Sequence, residues 1–301
     1  MYDIIVIGSG PAGLTAATYA RRAEKSVLVI EKETFGGEIT HSPKVENYPG
    51  IREISGADLG ERLLDQALNL GAEIEMDTCV DIQAGDHFTV VCENASYEAR
   101  SVIIASGSKH RRLGLPREEE LTGMGISYCS VCDGPFFSGR AVAVIGGGNS
   151  ALQEAVQLSE LCSHVTILQN LDFLTGEKKL QDILAAKDNV DVILGVTVDE
   201  FLGDPELTGL VIKHKDGATS TVTVDGAFVA IGQQPENKPF ASVATLDQYG
   251  YIVADETCET GTPGVYVAGD CRTKAIRQVV TASGDGAIAA IKACKFAEEH
   301  R

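Results

Sequence analysis

The sequence predicts an α/β protein built from two similar units, and three observations support this prediction. A strand, a glycine-rich turn, a helix and a second strand occur twice, in residues 2–31 and 140–169. Each copy is followed by short segments rich in β-formers and then by an apolar strand that runs into a glycine, at residues 102–107 and 227–232. The last segment, residues 264–301, has no counterpart in the second half, so we expect it to return to the first unit.

The position of that last segment predicts that the second unit is inserted into the first. We expect residues 1–112 to begin the first domain, residues 113–244 to form the second, and residues 245–301 to complete the first. A chain of 301 residues is long for a single core, and two domains of this size can each bury an apolar interior.

The composition argues against several functional classes. A hydrophobic fraction of 44% and a charged fraction of 23% are ordinary for a globular protein, and no apolar run approaches the roughly 20 residues of a membrane helix. The first residues lack the basic segment and cleavage site of a signal peptide, so we expect a cytoplasmic protein without a membrane partner. A formal net charge of −18 disfavours nucleic acid and anionic lipid as partners.

The first glycine-rich turn carries a dinucleotide-binding pattern. Gly8, Gly10 and Gly13 follow a predicted strand and open a predicted helix, and Glu31 ends the next strand. Small residues let a pyrophosphate approach the backbone N–H groups at the helix N-terminus, where positive partial charge favours it. Glu31 can accept hydrogen bonds from ribose hydroxyls.

The second turn repeats the pattern with alanine in the third position, which the pattern permits. Its following strand ends without an acidic or basic residue, and Lys178 and Lys179 in the next helix are most simply a solvated face. The residues of this second nucleotide site are predicted to be Gly146, Gly148, Asn149, Ser150, Ala151 and Gln169.

Two of the eight cysteines, Cys129 and Cys132, have the spacing of a redox-active pair. One C-x-x-C can be half of a zinc site, but no second pair or nearby histidine completes it, so we expect no metal. The two sulfurs can close a small disulfide, and Asp133 can either protonate a departing thiol or cap a helix. Free thiols that fill core positions are expected at Cys79, Cys92, Cys162, Cys258 and Cys294.

Taken together, these motifs resemble the low-molecular-weight thioredoxin reductase family, the class II FAD-dependent pyridine nucleotide-disulfide oxidoreductases, over essentially the whole chain. The resemblance implies two Rossmann-like dinucleotide-binding domains, each with a three-layer ββα architecture. It also implies a non-covalent FAD, a homodimer, and thioredoxin or a thioredoxin-like protein as the partner. Besides the two glycine-rich turns, it rests on residues 36–40, 45–50, 105–107, 129–134, 232–235, 269–270 and 277–278.

The same resemblance implies roles for individual residues. Cys132 would face the flavin, Cys129 would attack the partner disulfide, and Asp133 would be the acid. Val279 stands where the family usually has alanine. The FAD-binding residues would be Gly8, Gly10, Pro11, Ala12, Gly13, Glu31, Gly37, Thr40, Asn47, Ala105, Gly107, Gly269, Asp270, Arg277, Gln278 and Val279.

The sequence departs from the family pattern at the residues that would bind the electron donor. NADPH-dependent members carry His-Arg-Arg after the second strand and another arginine a few residues on, but this chain has Gln169, Asn170 and Leu171, then Thr175. Each lost charge-assisted contact is worth about 1.5–3 kcal/mol, so NADPH binding should be weak. NADPH, NADH and reduced ferredoxin remain open as donors, with ferredoxin slightly ahead of NADPH and NADH third. Residues 110–112 are a candidate basic patch for ferredoxin.

Two other functions remain open at this level. Similar runs at residues 146–150 and 269–271 occur in the flavoprotein partner of a peroxiredoxin, which would here need a separate carrier protein. The chain could also be a flavin-bearing redox sensor whose cysteine pair changes conformation without turnover. Failure to turn over any carrier with any donor would favour the sensor.

Overall fold

The computed structural model describes residues 1–42 and 44–300, which form two compact units. The first unit comprises residues 1–109 and 234–301, and the second comprises residues 110–233. The predicted α/β class, with the second unit inserted in the first, is confirmed. No helix in the described part of the chain is long and apolar enough to cross a membrane.

The elements follow in chain order. The strands are β1 (Tyr2–Ile7), β2 (Val27–Glu31), β3 (Glu73–Met76), β4 (Cys79–Gln83), β5 (Phe88–Cys92), β6 (Ser96–Ile104), β7 (Lys109–His110), β8 (Ile126–Ser127), β9 (Ala141–Ile145), β10 (His164–Gln169), β11 (Val190–Leu194), β12 (Val196–Leu202), β13 (Gly209–His214), β14 (Thr219–Thr223), β15 (Gly226–Val229), β16 (Gln233–Gln234) and β17 (Val265–Val267). The α-helices are α1 (Pro11–Arg22), α2 (Gly56–Asn69), α3 (Glu118–Leu121), α4 (Ser130–Asp133), α5 (Asn149–Leu161), α6 (Lys178–Ala185) and α7 (Val279–Glu299). Three 3₁₀ helices span Gly37–His41, Gly134–Phe137 and Lys238–Phe240.

The first unit is built on a sheet of order β3-β2-β1-β6-β5-β4, with β17 also paired to β6. Strands β1, β2, β3, β6 and β17 pair in parallel, and β4 and β5 form an antiparallel extension. Helices α1 and α7 pack on one face, where Gly286 allows close approach because a Cβ there would lie 2.1 Å from the Ala12 carbonyl oxygen. The last helix therefore returns to this unit, as the sequence predicts.

The second unit has a parallel sheet of order β11-β10-β9-β15-β8 and a separate antiparallel sheet of β12, β13 and β14. Helices α5 and α6 border one core cluster of this unit, and the antiparallel sheet borders the other. The elements β9, α5 and β10 thus repeat β1, α1 and β2. This repeat brings a glycine-rich turn to the carboxyl end of β1 in the first unit and of β9 in the second.

The division between units differs from the predicted boundaries. The chain passes into the second unit three residues earlier than expected and returns eleven residues earlier, at residues 109–110 and 233–234. The early return has a packing cause, since Phe240, Val243 and Ala244 lie in a core cluster of the first unit. The Asn237 side chain also donates to main-chain carbonyl oxygens within that unit. Apolar residues in this loop gave no periodic signal that could reveal the boundary.

Candidate active site

The cysteine pair forms a disulfide at the start of a short helix in the second unit. Strand β8 leads into Cys129, which is the N-cap residue of α4, and Cys132 lies within that helix. The two Cα atoms are 5.3 Å apart, and the Cys129 sulfur accepts a hydrogen bond from the Cys132 N–H at 3.2 Å. Both cysteines are half-buried. The spacing therefore produces the disulfide that the sequence analysis allowed.

The carboxyl group of Asp133 is held next to this disulfide. Its Oδ2 accepts a hydrogen bond from the Ser127 hydroxyl at 2.6 Å, and the same hydroxyl accepts from the Cys129 N–H at 3.1 Å. Burial raises the pKa of Asp133, and the Ser127 hydrogen bond partly opposes that rise. Asp133 Oδ1 is buried without a hydrogen-bond partner in the part of the chain described. Cys129 caps α4, and Asp133 is the N-cap residue of the 3₁₀ helix Gly134–Phe137 but makes no side-chain cap hydrogen bond, so its carboxyl is available for proton transfer.

Ser127 was not predicted from the sequence. It ends β8 two residues before the cysteine motif, and its hydroxyl links the carboxyl group to the backbone of the motif. Serine is too common at strand ends to carry a signal from one sequence.

Glu154 is a second carboxyl group near the motif that the sequence did not reveal. It lies on α5 and interacts with both the backbone and the side chain of Ser130, the residue after Cys129. Burial raises the pKa of Glu154 to about 7, and the Ser130 hydrogen bonds oppose this rise. Its Oε2 is buried without a partner among the described residues.

We expect Glu154 to make the stability of the protein depend on pH. Because its folded-state pKa is raised, its contribution to stability is fully present below pH 4.5 and is lost as pH rises through about 7. Glu154→Gln should therefore gain roughly 3 kcal/mol of unfolding free energy relative to wild type between pH 4.5 and pH 8. Chemical denaturation at both pH values measures this gain. Glu160→Gln, an exposed carboxyl on the same helix, is the control, and an equal gain in that variant would contradict the assignment.

The first glycine-rich turn joins β1 to α1 and leaves space beside Gly10. Gly8 has φ +104°, and a Cβ there would lie 2.3 Å from the Ala105 carbonyl oxygen. A Cβ on Gly13 would lie 1.9 Å from the Gly8 carbonyl oxygen, so the protein itself requires both glycines. A Cβ on Gly10 would meet nothing nearer than 4.0 Å. Gly10 is the N-cap of α1 without a side-chain cap, so the helix N-terminus can receive an anion.

Glu31 anchors the turn to the protein. Its Oε2 accepts hydrogen bonds from the N–H and the hydroxyl of Ser9, both at 2.8 Å. Its Oε1 accepts from the N–H groups of Lys32 and Glu33, both at 2.9 Å. These four donors match the four acceptor positions of a carboxylate. The contact of Glu31 with a ribose stays a prediction, and its observed role is to fix the turn and the following loop.

Predicted flavin-site residues from distant parts of the first unit come together. A Cβ on Gly37 would lie 2.9 Å from the Gly10 Cα, so the 3₁₀ helix after β2 passes directly against the first turn. Thr40 closes that helix by donating to the Gly37 carbonyl oxygen at 2.8 Å. The Asn47 amide donates to the Gln278 side-chain oxygen at 3.2 Å, which joins this loop to the start of α7.

Asp270 follows β17 and presents a buried carboxyl oxygen with no partner. Its Oδ1 has no hydrogen bond to the described residues. Burial raises the pKa of Asp270 to about 6, although Lys274 and Arg277 oppose the rise. The Arg277 guanidinium lies over the Tyr251 ring, with its central carbon 4.3 Å from the ring centroid. Such an unpartnered oxygen is suited to a bound hydroxyl group.

A buried ion cluster supports Asp270 and was also missed in the sequence. Asp285 on α7 accepts hydrogen bonds from Arg272 and Lys274, at 2.8–2.9 Å. It also accepts from the Gly269 N–H at 3.0 Å, next to Asp270 in the chain. All three charged side chains are at least 95% buried. The cluster joins residues that are more than ten positions apart in the chain. Neither a helix nor a strand pattern relates residues at that separation, so the sequence does not reveal the cluster.

These features fit FAD in the first unit. The uncapped helix end and the space at Gly10 suit a pyrophosphate, and the free oxygen of Asp270 suits a ribityl hydroxyl. A Cβ on Gly107, which has φ +69°, would meet no atom within 4 Å, so this glycine leaves room at the end of β6. The other predicted residues lie at the N-termini of the two helices that border this region: Pro11 and Ala12 on α1, and Val279 on α7.

The second glycine-rich turn keeps the geometry of the first. Gly146 has φ +133°, and a Cβ there would lie 2.5 Å from a main-chain carbonyl oxygen. Gly148 is the N-cap of α5 without a side-chain cap, and Asn149 and Ser150 begin that helix. Ala151 is fully buried against the turn. This helix end can therefore also receive an anion.

The ribose end of the second turn is different. Gln169 is buried, and its amide accepts from the Asn170 N–H and donates to the Phe173 carbonyl oxygen. A Cβ on Gly147 would lie 2.6 Å from that amide, so the Gln169 side chain lies against the turn. Thr175 donates from its N–H and its hydroxyl to the Gly147 carbonyl oxygen, at 2.8 and 3.2 Å. The loop after β10 is thus held onto the turn by neutral groups.

Two lysines near this end pair with carboxylates. Lys178 pairs with Asp182 one helical turn along α6, at 2.8 Å, and Lys215 pairs with Asp172 in the loop after β10. Lys178 is 80% exposed, as expected for a solvated helical face.

The predicted basic patch at residues 110–112 carries less charge than its sequence indicates. His110 lies 5.4 Å from the Tyr128 ring, and burial lowers the pKa of His110 to about 4. It is therefore neutral at pH 7. Arg112 pairs with Glu119 at 3.4 Å, so its charge is partly compensated. The sequence does not indicate whether a histidine that lies next to arginines is buried or exposed.

Comparison with known proteins places the chain in a family. The chain matches the pyridine nucleotide-disulphide oxidoreductase family over residues 2–286. It is 43% identical over 302 residues to a thioredoxin reductase of Listeria innocua, covering 99% of this chain and 95% of that protein. A protein of Clostridium pasteurianum described only as a 34.2 kDa protein in a rubredoxin operon is 39% identical over 297 residues, covering 98% and 96%.

Solved structures agree with this result. The thioredoxin reductase of Streptococcus pyogenes has a TM-score of 0.96 at 39% identity, covering 99% of both chains. That of Giardia duodenalis has a TM-score of 0.93 at 32% identity, covering 98% of both chains. The chain therefore belongs to the pyridine nucleotide-disulphide oxidoreductase family, in its low-molecular-weight thioredoxin reductase class.

Proposed function

We propose that the protein is an FAD-dependent reductase for the disulfide of thioredoxin or a thioredoxin-like protein. The observation that carries this proposal is the Cys129–Cys132 disulfide beside the buried carboxyl group of Asp133. The same chain has two glycine-rich turns that can bind nucleotides, and the first of them fits FAD. A disulfide in such a chain is suited to accept electrons from the flavin. When bound, FAD supplies two-electron transfer to the disulfide.

The residues of the motif then transfer those electrons to the partner. In the reduced dithiol, the Cys129 thiolate attacks a sulfur of the partner disulfide, which forms a mixed disulfide and releases one partner thiolate. Cys132 attacks Cys129, which restores the internal disulfide and releases the second partner thiolate. Asp133 is positioned to hold the proton that a departing thiolate takes up, because burial raises its pKa. Two protein thiols are oxidised and one partner disulfide is reduced.

We further propose that the preferred donor is not NADPH. The positions that would hold a 2′-phosphate are Asn170, Leu171 and Thr175. Lys178 and Lys215 are paired with carboxylates. Reduced ferredoxin is the first candidate, because the second unit lacks the usual residues that hold the ribose of NADPH. The intact second glycine-rich turn favours NADH instead. The reduced charge at residues 110–112 weakens the case for ferredoxin docking there. A homodimer remains a prediction from the resemblance, and a cytoplasmic location remains a prediction from the first residues of the sequence.

Restoring the missing cations tests the donor proposal. Asn170→Arg, Leu171→Arg and Thr175→Arg replace three exposed side chains. We expect the combined variant to lower the KM for NADPH by roughly 100-fold or more, because charge-assisted contacts to a phosphate are restored. Steady-state flavin reduction by NADPH, NADH and reduced ferredoxin measures the effect.

The matched control places arginines at the exposed positions Thr197, Thr219 and Thr221, which adds the same charge elsewhere in the unit. An equal improvement with NADPH in this control would mean that net charge, not a phosphate site, sets the affinity. A micromolar KM for NADPH in the wild-type protein would overturn the donor proposal while leaving the disulfide chemistry intact.

A further inference from the structure

A second pair of cysteines lies in the first unit, outside the site described above. Cys79 begins β4 and Cys92 ends β5, and the two residues are directly opposite each other in this antiparallel pair. Both are buried, with exposures of 8% and 7%, and both belong to the same core cluster. Their separation of 13 positions has no motif spacing, so the sequence alone predicts two core thiols and does not pair them.

The backbone hydrogen bonds show which kind of cross-strand pair this is. The Glu93 N–H donates to the Thr78 carbonyl oxygen at 3.0 Å. This hydrogen bond between the two strands therefore joins the residues next to Cys79 and Cys92, not the cysteines themselves. The Cys92 N–H is directed away from β4, since it donates to the Ala95 carbonyl oxygen at 2.8 Å. Cys79 and Cys92 are therefore a non-hydrogen-bonded pair, in which Cα atoms are about 4.5 Å apart and side chains are closest. That separation lies within the range of about 4.4–6.8 Å that disulfides span.

The two thiols also interact directly with each other. Their side-chain interaction raises the pKa of Cys79 and lowers the pKa of Cys92. The Cys79 thiol also donates to the Asp81 carbonyl oxygen at 3.6 Å. The other free cysteines differ: burial raises the pKa of Cys162 and Cys294 to about 11 and that of Cys258 to about 12. Cys92 is thus the free cysteine best able to present a thiolate.

We propose that Cys79 and Cys92 form a second redox-active dithiol, which a small hydroperoxide oxidises to a cross-strand disulfide. The Cys92 thiolate attacks the peroxide oxygen, which breaks the O–O bond and gives a sulfenic acid at Cys92 and hydroxide or alkoxide. The Cys79 sulfur then attacks the Cys92 sulfur and displaces the oxygen as water. In total, two thiols are oxidised to one disulfide, and hydrogen peroxide is reduced to two waters.

The sequence provides a direct assay. Trypsin cleaves after Arg62 and Arg100 and finds no lysine or arginine between them, so both cysteines lie in one peptide, residues 63–100. The native protein is treated with hydrogen peroxide, denatured in an alkylating reagent, digested and analysed by mass spectrometry without reduction. We expect this peptide to resist alkylation and to lose the mass of two hydrogens. Cleavage at Asp81 or Asp86 should then leave its two fragments linked until a reductant is added.

Controls separate this disulfide from general oxidation. Cys79→Ala should leave Cys92 as a sulfenic acid that a dimedone-type reagent traps, and Cys294→Ala should leave the 63–100 disulfide unchanged. Far-UV circular dichroism and retained flavin identify variants that remain folded, and the wild-type assay does not depend on any variant. Full alkylation of both cysteines after peroxide, or oxidation of Cys162 and Cys294 at the same rate, would overturn the proposal. Loss of thioredoxin reduction would have no bearing on this result.

Discussion

Cys132→Ser is expected to purify with FAD bound and to reduce thioredoxin roughly 10³-fold more slowly, or worse, than the wild-type protein. The reason is that the flavin-site residues of the first unit are untouched, whereas the disulfide that carries electrons to the partner is lost. Flavin absorbance, together with thiol release from thioredoxin under a saturating electron donor, measures both properties.

Cys162→Ser is the matched control, because it removes another sulfur from the same unit, one that is buried and not part of a disulfide. This control should reduce thioredoxin at close to the wild-type rate. Thioredoxin reduction by Cys132→Ser at the wild-type rate would refute the role given to the motif.

Gly10→Val is expected to fold and to purify without flavin. Gly10 has φ −69° and ψ −179°, which other residues adopt, and a Cβ there meets no atom nearer than 4.0 Å. The valine side chain would therefore occupy space that the protein leaves open, and a pyrophosphate could no longer reach the N–H groups of α1. Circular dichroism and flavin content after denaturation measure folding and binding separately.

Two other glycines sharpen this test. Gly13→Ala should fail to fold, because its Cβ would lie 1.9 Å from the Gly8 carbonyl oxygen. Gly284→Ala on α7 should keep its flavin, because nothing lies within 4 Å of a Cβ there and its backbone is helical. Stoichiometric FAD in purified Gly10→Val would mean that the first turn has been misassigned.

The fold was largely predictable because its signals are local. Residues 4–7 of β1 and all of β9 are continuous apolar runs, and each is followed by glycines whose positive φ or close packing no other residue provides. These patterns need only a few neighbouring residues to be recognised. The chain returns to the first unit at residues 233–234, whereas the prediction places this return at residues 244–245. The difference arises because Phe240 packs in the core of the first unit, and such a long-range contact leaves no local pattern in the sequence.

The active site was predictable in its motifs and not in its supporting contacts. Cys129, Cys132 and Asp133 follow one another in the chain, so their spacing identified them. Ser127 and Glu154 act on the same motif through hydrogen bonds that exist only once β8 and α5 are in place. One sequence contains no signal for such contacts.

Charge was the least predictable property. The run at residues 110–112 indicated a basic patch, yet burial makes His110 neutral, and Arg112 is paired with a glutamate. Conversely, no motif in the sequence draws attention to Arg272, and its side chain is 98% buried in an ion cluster with Asp285. Burial decides the protonation and pairing of such groups, and burial depends on tertiary structure.

The central claim is that electrons pass from FAD to the Cys129–Cys132 pair and then to a thioredoxin-type disulfide. An anaerobic reductive titration with dithionite, followed by addition of oxidised thioredoxin, tests this claim without assuming a physiological donor. We expect the wild-type protein to take up two more electrons per flavin than Cys132→Ser and to deliver them as new thiols on thioredoxin. Equal electron uptake by the two proteins, with no thiols formed on thioredoxin, would contradict it.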